Sequence, residues 1–270
     1  MGTEWSDLSR PPLSPIRMQL AFSEHPLWRD VRIVTSTGST MADVAAAART
    51  GEPAGLVIIA EEQSAGRGRV DRSWESPPRA SAMLSVLLRP EPDPSTWPLL
   101  PLLSGLAVVE AVSAVGQVEA ALKWPNDVMI DGLKLGGILA ERVDDAVVIG
   151  IGINVSTRQE ELPVETATSL ALVGGSTDRE ILIREVLRAF ARRFLAWRDT
   201  DGSADTVIPA YRERCETIGH QVDLHLPGGE VVRRYASGVD DTGRLVLRDD
   251  ATGDERAVLV GDVKHVRKVS

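Results

Sequence analysis

Two short, largely apolar stretches, residues 55–60 and 82–88, stand on either side of a long polar run from residue 61 to residue 79. Each stretch has strand length and no helical periodicity, so both predict strands in the core of a domain. A polar insertion this long between two core strands is a functional loop or a disordered one. Whatever the chain folds into, it must display residues 61–79 from the body of a sheet.

The rest of the chain fits a mixed α+β domain around those strands. Residues 31–34 predict a short strand. A Thr/Ser/Gly turn follows, and Ser39 or Thr40 is placed to cap an Ala-rich helix that stops near Gly51. The apolar run at 97–115 is nearly long enough to span a membrane, but it holds Pro98, Pro101, Ser104, Gly105 and Glu110. A buried helix capped by Ser95 fits it better. Residues 128–130, 134–142 and 146–155, split by Asp131-Gly132 and Asp144-Asp145, predict antiparallel hairpins. From Thr177 or Asp178 an amphipathic helix runs to about Arg198, with an apolar stripe of Ile181, Leu182, Val186, Leu187, Phe190, Phe194 and Trp197. A second helical segment, interrupted by Pro209, ends near Gly219. Beyond it, alternating strands at 222–226, 245–247 and 257–260, punctuated by Pro227-Gly228-Gly229, Thr242-Gly243 and Thr252-Gly253, predict a small antiparallel barrel. The expected division is a tail at 1–30 with at most one short helix, a catalytic domain at 31–219 and a small C-terminal domain at 220–270.

The chemistry is concentrated in three stretches. The first is Gln63-Ser64-Ala65-Gly66-Arg67-Gly68-Arg69-Val70-Asp71-Arg72-Ser73-Trp74. Arginine presents a rigid fork of donors that matches carboxylate and phosphate oxygens, and glycine lets backbone approach a ligand. Trp74 adds a flat face that can cover a ring or exclude water. An isolated Arg-Gly-Arg triplet is more often a solvated loop or an RNA-binding segment. Here the flanking core strands and a net charge of −9 argue for a small anion instead.

The second stretch is Lys123-Trp124-Pro125-Asn126-Asp127 followed by Lys134-Leu135-Gly136-Gly137-Ile138-Leu139. A lysine entering an apolar strand is usually a surface residue. The Gly136-Gly137 pair shifts the balance, because glycine weakens a strand unless a ligand or backbone must come close. The third is Gly150-Ile151-Gly152-Ile153-Asn154. Alternating glycines leave either a flat slot for a ring, with Asn154 placed to read a base edge, or merely a tight packing of strands. No helix-opening Gly-x-Gly-x-x-Gly and no Gly-x4-Gly-Lys-Ser/Thr phosphate loop occurs.

Taken in order, Gly38-Ser39-Thr40, Gln63 with the Gly66–Arg69 loop, Lys123–Asp127 leading to Lys134–Leu139, and Gly150–Asn154 resemble the motifs of the biotin protein ligases. The resemblance covers the chain from about residue 31 to the C-terminus. It implies a mixed-sheet catalytic domain related to class II tRNA synthetases, followed by an SH3-like barrel. It further implies that Ser39, Thr40, Gln63, Gly66, Gly68, Gly137, Gly150 and Gly152 surround biotin, with Arg67, Arg69 and Lys134 on its carboxylate and the reacting phosphate. Arg69, Arg72, Trp74, Lys123, Asn126 and Asn154 would hold the ATP-derived part. The substrates implied are biotin and ATP with Mg²⁺, for which no protein ligands are assigned, and the partner is a biotin carboxyl carrier domain. Two positions depart from the pattern: Met41 stands where asparagine is common, and Asp71 where glycine is common. Weaker ligand binding is the expected result.

The mechanism so implied needs no enzyme nucleophile, so Cys215, His220 and His265 are expected to be structural. A lipoate or octanoate ligase of the same fold is the nearest rival. A biotin-responsive DNA-binding repressor is the second, disfavoured because about thirty residues before the first strand are too few for a helix-turn-helix domain. A binding module built on the barrel would leave the ordered motifs unexplained. The acidic charge and lone cysteine fit a cytoplasmic protein without nucleic-acid or membrane partners, monomeric or weakly dimeric.

Overall fold

The computed structural model describes residues 9–69, 72–225, 231–258 and 262–265. Its N-terminal helix α1 (Pro15–Phe22) opens on Ser14, whose hydroxyl accepts from the Arg17 N–H. Met18 and Phe22, one helical turn apart, are buried together with Leu13, Leu27 and Trp28 in the main core. The described part of the segment expected as a mobile tail is therefore packed. Its apolar residues alternate in sequence, and the helix buries Met18 and Phe22 while leaving Ile16 and Leu20 exposed.

Strand β1 (Asp30–Val34) runs parallel to β2 (Leu56–Ala60), and helix α2 (Thr40–Arg49) makes the crossover. Residues 61–79 then leave the sheet, and they are not purely irregular. A two-stranded ribbon, β3 (Gly66–Arg67) and β4 (Ser73–Trp74), pairs Gly66 with Trp74 and Arg67 with Ser73. Val70 and Asp71 lie outside the described residues. The chain re-enters as β5 (Ser81–Leu88), buried along its whole length.

A 3₁₀ turn at Pro94–Leu99 leads into helix α3 (Leu100–Ala111), which ends in a π turn at Val112–Gly116. The cap is Asp93, whose carboxylate accepts from Ser95 N–H, and not Ser95 as expected. Composition alone would let Pro94–Gly116 cross a membrane, yet 72% of its apolar 18-residue window is buried inside the fold. Strands β6 (Ala121–Lys123), β7 (Asp127–Ile130), β8 (Leu133–Val143) and β9 (Ala146–Asn154) follow as hairpins. Helix α4 (Arg179–Asp199) is capped by Asp178 and buries Leu182, Ile183, Val186, Leu187, Phe190, Phe194 and Trp197. Ile181 is not part of that face; it is 45% exposed. Pro209 sits in the first turn of α5 (Ile208–Arg214), where its missing N–H costs nothing, so it starts the helix rather than interrupting it.

The seven strands lie in the order β1-β2-β5-β9-β8-β7-β6, all antiparallel except β1 with β2. Strand alternation divides the core. Val57 and Ile59 face the main cluster with α3 and α4, whereas Leu56 and Ile58 pack with Val44, Ala45 and Ala48 of α2. On β9, Val147, Ile149, Ile151 and Ile153 face the main cluster, and Ala146 and Val148 face the α2 side. The next two residues on that second side are Gly150 and Gly152. There the apolar layer stops and a trough opens.

The C-terminal part forms a five-stranded antiparallel sheet of β10 (Gln221–His225), β11 (Val231–Val239), β12 (Leu245–Arg248), β13 (Glu255–Val258) and β14 (Asp262–His265), ordered β13-β12-β11-β10-β14. Leu226, the Pro227-Gly228-Gly229 turn and Val260 lie outside the described residues. Val222, Ala236, Val239, Leu245 and Leu247 join the main core cluster. The Trp124 indole Nε1–H donates to Gly243 O at 3.0 Å, tying the small sheet to the turn between β6 and β7.

Candidate active site

The trough over Gly150 and Gly152 is the floor of a cleft enclosing about 870 Å³ including its open mouth. At both floor positions a side chain would meet a neighbour that lies over the strand. A Cβ on Gly152 would stand 2.7 Å from Trp74 Cε2, and one on Gly150 would stand 2.6 Å from Met41 Sδ. Trp74, half-buried, thus lies across one end of the floor and Met41 across the other. Register places Gly137 of β8 beside Gly152 and Ser85 of β5 beside Gly150, so each floor glycine has a small neighbour on one side, with Met83 and Leu139 on the other.

One wall comes from the start of α2. Thr40 N–H donates to Gln63 Oε1 at 2.8 Å, Thr40 Oγ1 reaches the same oxygen at 3.0 Å, and Thr40 Oγ1 lies 2.8 Å from Ser85 Oγ. Gln63 is thereby fixed. Ser39 occupies the cap position of α2, but its hydroxyl makes no cap bond and has no hydrogen-bond partner although buried. A buried hydroxyl without a partner needs an explanation. A polar ligand in the cleft supplies one. The Trp74 indole N–H is likewise buried and unpartnered.

The opposite wall carries charge. Lys134 Nζ lies 2.5 Å from Asp127 Oδ1 across the β7–β8 hairpin, with side chains 35% and 23% exposed. Arg67 pairs with Glu141 at 3.0 Å, and Arg69 Nη1 donates to Asn126 Oδ1 at 3.2 Å. Asn126 is itself held by Ile138, whose N–H donates to Asn126 O and whose carbonyl accepts from Asn126 Nδ2, both at 2.9 Å. Four cationic side chains, Arg67, Arg69, Arg72 and Lys134, therefore line one cleft in an acidic protein. Such a wall is suited to gathering anions that repel each other.

Of the residues singled out from sequence, Ser39, Thr40, Gln63, Arg67, Gly68, Arg69, Arg72, Trp74, Asn126, Lys134, Gly137, Gly150 and Gly152 line the cleft. Gly66 stands behind it, where a Cβ would collide with Trp74 O. Lys123 and Asn154 are not brought to the cleft lining. Asn154 is buried, and its amide donates to Thr168 O at 3.0 Å while its oxygen accepts from Ser81 Oγ at 3.4 Å. The lining also contains Met41, Ser73, Leu84, Ser85, Asp127, Ile138, Leu139 and Ile151. Asp127 and Met41 adjoin the motifs and were within reach of the sequence. Ser85 was not, because only the pairing of β5 with β9 places it next to Gly150. Cys215 is buried at the β6 edge, and burial pushes its thiol up, away from the reactive thiolate.

A mixed sheet carrying a glycine-floored, cation-lined cleft defines a class of acyl-activating ligases, and comparison with known proteins identifies that class. Residues 34–156 match the Biotin/lipoate A/B protein ligase family, and the chain belongs to that family. It is 41% identical to the biotin–[acetyl-CoA-carboxylase] ligase of Mycobacterium tuberculosis over 97% of this chain and 98% of that protein. It is 33% identical to the bifunctional ligase/repressor BirA of Bacillus subtilis over 83% of this chain and 69% of that one. Among solved structures, a biotin protein ligase from Aquifex aeolicus in complex with biotin and ATP superposes with a TM-score of 0.76. The two are 26% identical, covering 89% of this chain and all of the other.

Proposed function

We propose that this protein is an ATP-dependent biotin protein ligase, which adenylates biotin and transfers the biotinyl group to a lysine of a carrier domain of an acyl-CoA carboxylase. The observation that carries the reading is the meeting of Lys134, Arg67, Arg69 and Arg72 in one cleft with the unpartnered Ser39 hydroxyl and the bare Gly150–Gly152 floor.

In this reading the ring system of biotin lies on the glycine floor near Ser39, Thr40 and Gln63, and its carboxylate points to Lys134 and the loop arginines. Fixed cations cancel the repulsion between carboxylate and triphosphate and stabilise charge as it develops at the α-phosphate. The carboxylate oxygen attacks the α-phosphorus and pyrophosphate leaves. Arg69, Arg72, Trp74 and Asn126 hold the AMP portion. Lys123 and Asn154 stay outside this assignment, since neither lines the cleft. The carrier amine then attacks the acyl carbon and AMP departs, with no covalent enzyme intermediate. Trp74 over Gly152 shields the anhydride from water between the steps.

Magnesium enters with ATP as part of the substrate. Among the described residues no three potential metal ligands cluster, and Asp127 is the carboxylate that lines the cleft, so phosphate oxygens and water would supply most of the coordination. A monomer or weak dimer acting in the cytoplasm, without a nucleic-acid partner, completes the proposal; a net charge of −9 offers little to a phosphate backbone. Mass spectrometry of a carrier domain incubated with the protein, biotin, ATP and Mg²⁺ tests it. A single biotinyl addition on one lysine is expected. Pyrophosphate exchange driven by lipoate and not by biotin would overturn it.

A further inference from the structure

Glu61, at the end of β2, is only 4% exposed, and no role in catalysis follows from its position alone. Its carboxylate forms an ion pair with Arg179 Nη2 at 2.8 Å and accepts the Leu13 N–H at 2.6 Å. Arg179, in the first turn of α4, also donates to Pro11 O at 2.9 Å and to Ser81 O at 3.4 Å. The backbone of Glu61 is equally committed. Its N–H donates to Val34 O at 3.0 Å, and its carbonyl accepts from Arg79 N–H at 2.8 Å. One residue thus ties together β1, both ends of the 61–79 segment, the N-terminal strap and α4.

Buried ion pairs contribute little net stability, since well-packed apolar residues often replace them without loss. The position of this pair is informative. Gln63, which fixes Thr40, is two residues beyond Glu61. Arg79 and Ser81 bound the other end, where β5 begins. Between them the chain delivers Arg67, Arg69, Arg72 and Trp74 to the cleft.

We propose that Glu61 is a positioning residue: held by Arg179 and the Leu13 N–H, it sets the wall carrying Trp74 against the glycine floor and so protects the activated acid from water. The inference rests on the ligase reading. The reaction it suppresses is hydrolysis of the adenylate. Water oxygen bonds to the acyl carbon, the acyl–oxygen bond to AMP breaks, AMP leaves, and the displaced proton passes to solvent.

The test compares AMP released with biotin transferred, using full-length protein, carrier domain, biotin and ATP. Wild-type protein should give the two in equal amounts. Glu61→Gln should raise the ratio of AMP to transferred biotin about fivefold, the scale of effect expected when a small displacement loosens a closed site, with little change in the KM for biotin. Thermal unfolding is measured alongside. A lower melting temperature with an unchanged ratio would mean that the pair is only structural, and the proposal would fall. Because Glu61→Gln leaves the Arg179 cation buried without its partner, the charge-matched E61Q/R179M variant is read in the same way if the single variant does not fold. If neither folds, Arg17→Gln removes the 2.6 Å ion pair between α1 and Glu180, the neighbour of Arg179 on α4, and so loosens the segment 11–17 from its exposed side; an unchanged ratio there also refutes the idea. A wild-type protein that makes no biotin-dependent AMP would sink the ligase reading itself, and this inference with it.

Discussion

Lys134 and Asp127 form an ion pair within the cleft lining, so removing the lysine changes two things together. The cation is lost, and the Asp127 carboxylate is left facing the incoming anions. Two unit charges about 4 Å apart interact by about 4 kcal/mol at the effective dielectric of a protein surface. With Lys134 one-third exposed, solvent reduces that to about 3 kcal/mol, which is about a hundredfold in rate. The uncovered carboxylate, set farther from the phosphates, adds about another factor of ten. Lys134→Ala should therefore slow biotin-dependent pyrophosphate exchange by about a thousandfold without unfolding the chain. Lys134→Ala combined with Asp127→Asn should recover about tenfold of that loss, because the repulsive partner is gone. Exchange is measured with saturating biotin and ATP at low salt, and folding is followed by circular dichroism. A single variant close to wild type would refute the electrostatic role. A double variant slower than the single would refute the assignment of Asp127 as the repelling group.

Three further outcomes are expected. Gly150→Ala drives a methyl group into the flexible end of Met41 and narrows the floor, so the KM for biotin should rise about tenfold, and Met41→Ala in the same chain should lower it again. Thr40→Val removes the hydroxyl shared by Gln63 and Ser85, so urea unfolding should show a loss of about 1–3 kcal/mol for the polar groups left unpaired. The hydrogen bond from Arg17 holds the Glu180 carboxyl below the usual glutamate range of about 4.3, so its stabilisation is complete above that pH and is lost as pH falls through the depressed value. Urea midpoints of wild type and Arg17→Gln should accordingly differ at pH 7 and converge in acid.

The main features of the fold were legible because they rest on local pattern. The apolar runs that became β2 and β5, the hairpins around Asp131-Gly132 and Asp144-Asp145, and the stripe on α4 all follow from periodicity and turn chemistry. Most of the cleft was legible too, since its residues sit in short glycine- and arginine-bearing motifs. What sequence could not supply was long-range pairing. Asn154 reads as a base-contacting residue until Thr168, fourteen positions on, is found to hold its amide. The N-terminal segment reads as a tail until Leu13 and Trp28 are seen in the core, with Trp28 Nε1 donating to Leu187 O at 2.9 Å. Ser95 and Asp93 satisfy the same rule for starting a helix, and only the structure shows that Asp93 caps it.

The hydrogen bond from Trp124 to Gly243 makes the C-terminal sheet a remote support for the catalytic face. Trp124 is 2% exposed and directly precedes the Pro125-Asn126-Asp127 turn that steadies Arg69 and Lys134. A shortened chain ending before Gln221 would deprive that indole of its acceptor and bare the Leu99–Leu102 surface under Gly243. Trimming at the far end of the polypeptide would then register in turnover, even though none of the described residues so removed lines the cleft.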